Sequence, residues 1–290
     1  MRLRLDVAYD GGAFSGWGRQ PALRTVQAEL EDALATLLRV PDPVVRLVVA
    51  GRTDAGVHAT GQVAHCDLTA GQWKSLAASR RAGTVEHSIM RRLNGLVGHR
   101  GGDVVVSHVS RAPQGFDARF SAVWRRYEYR IADAVAGHDP RRRGHTLWHA
   151  AELDRAAMDA ASRSLTGLHD FAAFCRPREG ATTIRTLLDY NWSRDADGVL
   201  VAKVRADAFC HSMVRALVGA AIAVGRGRLD TVGLHKVLAG ARRENLFSVV
   251  AARGLTLVEV GYPPDDELEA RAQLTRARRE PPGRSSDPSD

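Results

Sequence analysis

Between two apolar stretches of the 290-residue sequence lies Gly51-Arg52-Thr53-Asp54-Ala55-Gly56-Val57-His58-Ala59, a turn with one carboxylate at its tip. Aspartate and glycine occupy turns for ordinary backbone reasons, so Asp54 alone says little. Its neighbours say more. Arg52 stands two residues before it and His58 four after, and the flanking apolar runs confine the carboxylate between strands expected to be mostly buried. A buried charge without a partner is prohibitively costly. A carboxylate kept there calls for a cationic partner, and Asp54 is the residue expected to do chemistry.

Two other stretches supply candidate partners. In Ala208-Phe209-Cys210-His211-Ser212-Met213-Val214-Arg215, an apolar helix pattern begins (Met213, Val214, Leu217, Val218, Ala221, Ile222), which Arg215 interrupts near its start. Periodicity alone also fits a solvent-facing Arg215. In Arg125-Arg126-Tyr127-Glu128-Tyr129-Arg130, basic and aromatic residues interleave along a strand. That suits a base-stacking surface, and equally a charged edge strand whose tyrosines are core. His138, His145 and His149 are loosely spaced around Arg141-Arg142-Arg143, which would repel a cation, so no metal site is assigned. The glycines of Tyr9-Asp10-Gly11-Gly12-Ala13-Phe14-Ser15-Gly16-Trp17 fit neither the dinucleotide fingerprint nor a P-loop. They read as a flexible loop carrying Phe14 and Trp17, and no cofactor is indicated.

The elements that must position these residues follow from hydrophobic period. Leu3, Leu5, Val7 and Tyr9 alternate with polar or small residues, a strand with one buried face. Thr25 caps a helix bearing Val26, Leu30, Ala33, Leu34, Leu37 and Leu38, closed by Pro41-Asp42-Pro43. Strands are expected over 44–49 and 62–68, a further short segment over 73–79, a helix over 85–96 and a strand over 104–109. From Trp124 the order repeats: strand 124–131, helix 153–165, strands 184–192 and 199–205, helix 211–224, an additional helix 231–238 and strand 255–260. The expected fold class is α+β. Two ferredoxin-like (RRM-like) halves with mainly antiparallel sheets are joined around a central cleft, helices on the outer face. The first half is placed at 1–110, the second at 111–264. Beyond Pro263-Pro264 the apolar pattern fades, and 265–290 reads as a disordered basic, proline-rich tail.

Composition narrows the function classes. A chain of this length buries roughly 75% of its unfolded surface. Its net charge of +8 favours a polyanionic partner such as nucleic acid. Only Lys74, Lys203 and Lys236 of the 41 basic residues are lysine, and guanidinium groups suit phosphate and base stacking. Cys66, Cys175 and Cys210 form no C-x-x-C pair and read as reduced, buried residues. No apolar run approaches the roughly 20 residues that span a bilayer. The expectation is a soluble cytoplasmic protein with no membrane partner.

Taken together, the sequence resembles the tRNA pseudouridine synthase A family. The matching pieces are Tyr9-Asp10-Gly11, Gly16-Trp17, Arg19-Gln20, Val26-Gln27, Gly51 to His58, Phe116 to Ala122, Arg125 to Tyr129, Met213-Val214-Arg215 and Gly254 to Leu257, in the family's order across residues 1–264. The resemblance implies isomerisation of uridine to pseudouridine at positions 38, 39 and 40 of the tRNA anticodon stem-loop, by a homodimer with no cofactor and no required metal. By similarity Asp54 matches the catalytic aspartate, Tyr127 the tyrosine that stacks on the target base and Arg215 the arginine that pairs with the aspartate. Arg52 matches the arginine associated with base extrusion, and Arg19, His58 and Arg126 are expected at the RNA. The chain departs from the family pattern at Gly18, at Cys210-His211 and at Leu93-Asn94-Gly95-Leu96. Two other readings compete: a non-catalytic RNA-binding module, which gives Asp54 no role, and an aspartate-based phosphotransferase or hydrolase, which should show more acidic metal ligands near Asp54.

Overall fold

The computed structural model describes residues 1–40, 45–78, 83–98, 101–177, 182–240 and 246–276. They form a mixed α+β protein whose strands pair mostly antiparallel. The chain divides into two compact units, one built from 1–128, 139–147 and 252–274, the other from 129–138, 148–251 and the remaining C-terminal residues.

In the first unit β1 (Arg2–Tyr9) is central. Leu3, Leu5, Val7 and Tyr9 are buried as the alternation predicts. The strand pairs antiparallel with β3 (His58–Asp67) on one side and β4 (Val104–Arg111) on the other. The expected strand over 44–49 is only the two-residue β2 (Val48–Val49), paired antiparallel with β3; Val44 and Pro41-Asp42-Pro43 lie outside the described residues. The strand order is β4-β1-β3, with β2 also on β3. Helix α1 (Val26–Leu38) starts where Thr25 accepts the Ala28 N–H. It ends on Arg39, whose left-handed conformation closes the last turn. Helices α2 (Ala70–Ala78) and α3 (Val85–Gly98) complete the layer, α3 resting on β4. Asn94, one of the departures from the family pattern, stitches α3 to β4 by donating to the Val106 carbonyl (2.9 Å) and accepting the Val106 N–H (2.8 Å).

The C-terminal segment returns to this same unit. Strand β10 (Leu255–Gly261) runs parallel to β3, Thr256 opposite His58, and the start of β5 (Trp124–Ala132) follows it in the strand order. A Cβ at Gly61 would collide with the Val258 carbonyl, so the glycine is what lets β10 approach β3. After Pro264 the chain does not dissolve: α7 (Leu268–Arg276) buries Leu268 and Ala272, and the Leu268 carbonyl accepts from the Ser121 hydroxyl at 3.0 Å. Two apolar residues at i and i+4 are too short a stripe to stand out in the sequence. Residues 277–290 of the expected tail lie outside the described residues.

In the second unit β8 (Ile184–Arg194) pairs antiparallel with β9 (Leu200–Ala206) and with the short, unforeseen β7 (Gly167–Asp170). Strand β6 (Leu147–Trp148) is a two-residue pairing on β5. Helix α4 (Arg155–Arg163) packs on β8 and on α5 (Met213–Gly225), and α6 (Thr231–Gly240) contacts α4. Asp133, fully buried, is satisfied by a two-pronged Arg194 (2.9 and 2.8 Å) and the Leu153 N–H. The cysteine expectation needs correction: Cys175 and Cys210 are joined as a disulfide, their Cα atoms 5.7 Å apart, and only Cys66 is a free, buried thiol. A separation of 35 residues hides such a pair from any spacing rule. Among the described residues no helix is long and apolar enough to cross a membrane.

Candidate active site

The turn between Ala50 and β3 is fixed from several directions. Ala50 donates to the Val63 carbonyl at 2.8 Å, and the Val57 N–H closes the turn on the Asp54 carbonyl at 3.2 Å. Gly56 supplies the positive φ, +77°, that this closure needs. The glycine-rich loop after β1 is the floor of this turn rather than a flexible carrier of exposed aromatics. Phe14 and Trp17 are buried, the Trp17 N–H donates to the Thr53 carbonyl (3.1 Å), and the Phe14 carbonyl accepts from Gly56 (3.3 Å). A Cβ at Gly11 would collide with the Val57 carbonyl, which is why the loop can lie so close.

A polar cluster lies against the same segment. The Tyr9 hydroxyl is 2.8 Å from Thr53 Oγ1, and Gln62 Nε2 donates both to Tyr9 (3.2 Å) and to the Gly51 carbonyl (2.9 Å). Arg125, buried, donates to the carbonyls of Ala50 (2.8 Å) and Arg119 (2.9 Å). Desolvation pulls its guanidinium below the usual arginine range. Of these residues only Gln62 has no reading of its own in the sequence; Tyr9, Thr53 and Arg125 stand in the first strand, the turn and the basic strand, but nothing there joins them.

Asp54 itself is half-buried and Arg52 exposed, with the Arg52 guanidinium stem lying over Gly18, where a Cβ would be 3.6 Å away. Tyr127, on β5 in the first unit, is buried. Burial, first, pushes its phenol well above the ordinary range; the neighbouring Tyr9 and the Asp54 carboxylate push the same way and Arg125 opposes them. A carboxylate, a buried cation and a second phenol thus all act on the Tyr127 hydroxyl within the first unit.

The other expected residues fall differently. His58 is buried. Its Nδ1 accepts the Gly11 N–H at 3.1 Å, and its Nε2 lies 3.0 and 3.1 Å from the carbonyls of Gly144 and Arg253. The ring thereby ties three chain segments together. Arg19 reaches back to Glu31 (3.0 Å) and Asp32 (2.5 Å) on α1. Arg126 grips Glu259 on β10 at 2.7 Å. Arg215 stands in the first turn of α5 in the second unit, where its Nε donates to the Val250 carbonyl at 2.8 Å. Among the described residues no group of three or more His, Cys, Asp or Glu side chains is arranged to hold a metal ion.

Comparison with known proteins identifies relatives along nearly the whole chain. The family model described as tRNA pseudouridine synthase matches residues 161–263. The protein from Leifsonia xyli subsp. xyli described as tRNA pseudouridine synthase A is 55% identical over 281 residues, covering 96% of this chain and 97% of the relative. Proteins of the same description from Frankia casuarinae and Streptomyces griseus subsp. griseus are 54% and 52% identical, covering 97% and 98% of this chain and 97% and 95% of the relatives.

Proposed function

This chain belongs to the tRNA pseudouridine synthase A family, and from that premise we propose that it isomerises uridine at positions 38, 39 and 40 of the tRNA anticodon stem-loop, with Asp54 acting at the ribose. The family's activity as an isomerase rests on relatives at 42–55% identity. The assignment of Asp54 follows the resemblance to the family, and the observation that supports it is the setting of its carboxylate. It is half-buried, on a turn braced from several sides, with the Tyr127 phenol in its field and a buried Arg125 gripping the Ala50 carbonyl at the start of the turn.

In the reaction the C1′–N1 bond of the uridine breaks, the detached uracil turns, and a C1′–C5 bond forms. The C5 proton leaves and N1 gains one, so the product is an isomer of the substrate. The leaving base is also the incoming nucleophile, so one carboxylate suffices where glycosidases need two. Water must be kept from the activated ribose. Asp54 acts in its ionised form, either by attack at C1′ or by forming a glycal. Tyr127 stacks on the extruded uracil, and its neutral phenol serves as a relay for the C5 proton. Extrusion costs a few kcal/mol, offset by this stacking and by arginine contacts to phosphates, Arg52 foremost. Arg215 is assigned to pair with Asp54 during the reaction, and Arg19 and Arg126 to the RNA. The active protein is read as a cytoplasmic homodimer, each chain made of two ferredoxin-like halves, 1–110 and 111–264. The strand order β4-β1-β3-β2 of the first half supports that last reading.

The test is tritium release from 5-tritiated uridine in an unmodified tRNA transcript, with EDTA present, comparing the wild type with Asp54→Asn. Release by the wild type alone is expected. Equal release from both would remove Asp54 from the chemistry, and none from either would favour the non-catalytic RNA-binding module.

A further inference from the structure

Three buried polar side chains next to the Asp54 turn have no part in the bond changes above. Gln62 is fully buried in the interior of β3, and Tyr9 and Thr53 are nearly so. A buried amide is costly unless its hydrogen bonds are made, and Gln62 makes them to the turn. Its Nε2 donates to the Gly51 carbonyl and to the Tyr9 oxygen. With that oxygen accepting from Gln62, the phenolic proton is left to donate to Thr53 Oγ1 at 2.8 Å. Burial pushes the Tyr9 phenol up to about 12, so the proton stays in place at any working pH.

The anchored points are Gly51 and Thr53, the two residues that flank Arg52. The Thr53 carbonyl is held separately by the Trp17 N–H. Both neighbours of Arg52 are thereby pinned from inside, Arg52 is turned outward, and Asp54 is the next residue on. We infer that Gln62, Tyr9 and Thr53 form a positioning relay that sets the reach of the Asp54 carboxylate and the direction of Arg52. The inference rests on reading Asp54 as the reacting carboxylate. A polar trio that merely filled the core would be replaceable by apolar groups of the same shape at little cost. A relay that sets the reacting geometry would not, because a displacement of about 1 Å at a reacting group can cost on the order of 100-fold in rate.

The experiment measures single-turnover rate and tRNA affinity for Tyr9→Phe, Thr53→Val, Thr53→Ser and the double variant Tyr9→Phe/Thr53→Val, beside Asp54→Asn. Tyr9→Phe and Thr53→Val are expected to lower the single-turnover rate about tenfold or more, with tRNA affinity within about twofold of wild type. Thr53→Ser, which keeps the hydroxyl, should retain the rate. The double variant should be no slower than the slower single one, since both break one chain. Wild-type rates in Tyr9→Phe and Thr53→Val with an inactive Asp54→Asn would overturn the relay and leave Asp54 standing, whereas an active Asp54→Asn would overturn the reading of Asp54 itself. Should Tyr9→Phe fail to fold, equal rates in Thr53→Val and Thr53→Ser decide against the relay.

Discussion

Burial sets the protonation of the phenols around the 51–59 turn. The Tyr127 phenol is held protonated by desolvation, with Tyr9 and Asp54 adding to the effect, so Tyr127→Phe should bind tRNA nearly as well as wild type while turnover falls. Parallel losses in filter binding and tritium release would end the case for its hydroxyl. His65 makes the complementary point. Desolvation, aided by the Arg2 charge, lowers its pKa to about 4, and its Nδ1 accepts the Ala118 N–H at 3.0 Å. The folded state keeps it neutral where the unfolded chain, near the ordinary 6.5, takes up a proton. Stability should therefore fall as pH drops from about 6.5 towards 4, by at most about 3 kcal/mol from this group. Melting curves of wild type and His65→Gln across that window test it, the variant being the flatter. At this scale the sequence singled out Asp54 by a turn motif and Tyr127 by an alternating strand. It concealed the role of Gln62, whose partners are 11 and 53 residues away, and it did not show that the His58 ring holds Gly11 and lies beside Asp10 and two distant carbonyls.

Among the elements, those with a long period were readable. β1 shows its buried face in every second residue, and α1 in the spacing from Val26 to Leu37. β7 and α7 were not, because four residues and a two-residue stripe carry too little period to register. Nor does any local pattern say that β10 lies beside β3. Gly61 is where that neighbourhood can be broken: Gly61→Ala must push the Val258 carbonyl away, and a loss of about 1–3 kcal/mol in denaturant unfolding is expected. The bridge between Cys175 and Cys210 closes a 35-residue separation, a constraint of about 4 kcal/mol in the chain-entropy account. Thiol titration of the denatured, unreduced protein should find one thiol, and three after reduction; three before reduction would refute the bridge.

For the whole molecule, the +8 charge carried almost entirely by arginine predicts that tRNA affinity weakens at least tenfold between about 50 and 200 mM salt, as phosphate contacts release counterions. A flat response would argue for recognition by shape and base contacts instead. The return of residues 252–274 to the first unit has a bearing on how the protein is made. On a ribosome the 51–59 turn emerges long before Arg253, whose carbonyl receives His58, and before Val258, which lies against Gly61. Until those residues are synthesised, β3 has an open edge at His58 and Ala59. The 51–59 turn is therefore among the last segments to be locked. A nascent or prematurely terminated chain ending before Ala252 should be inert towards tRNA chemistry, so that isomerase activity itself reports that translation has reached the final strand.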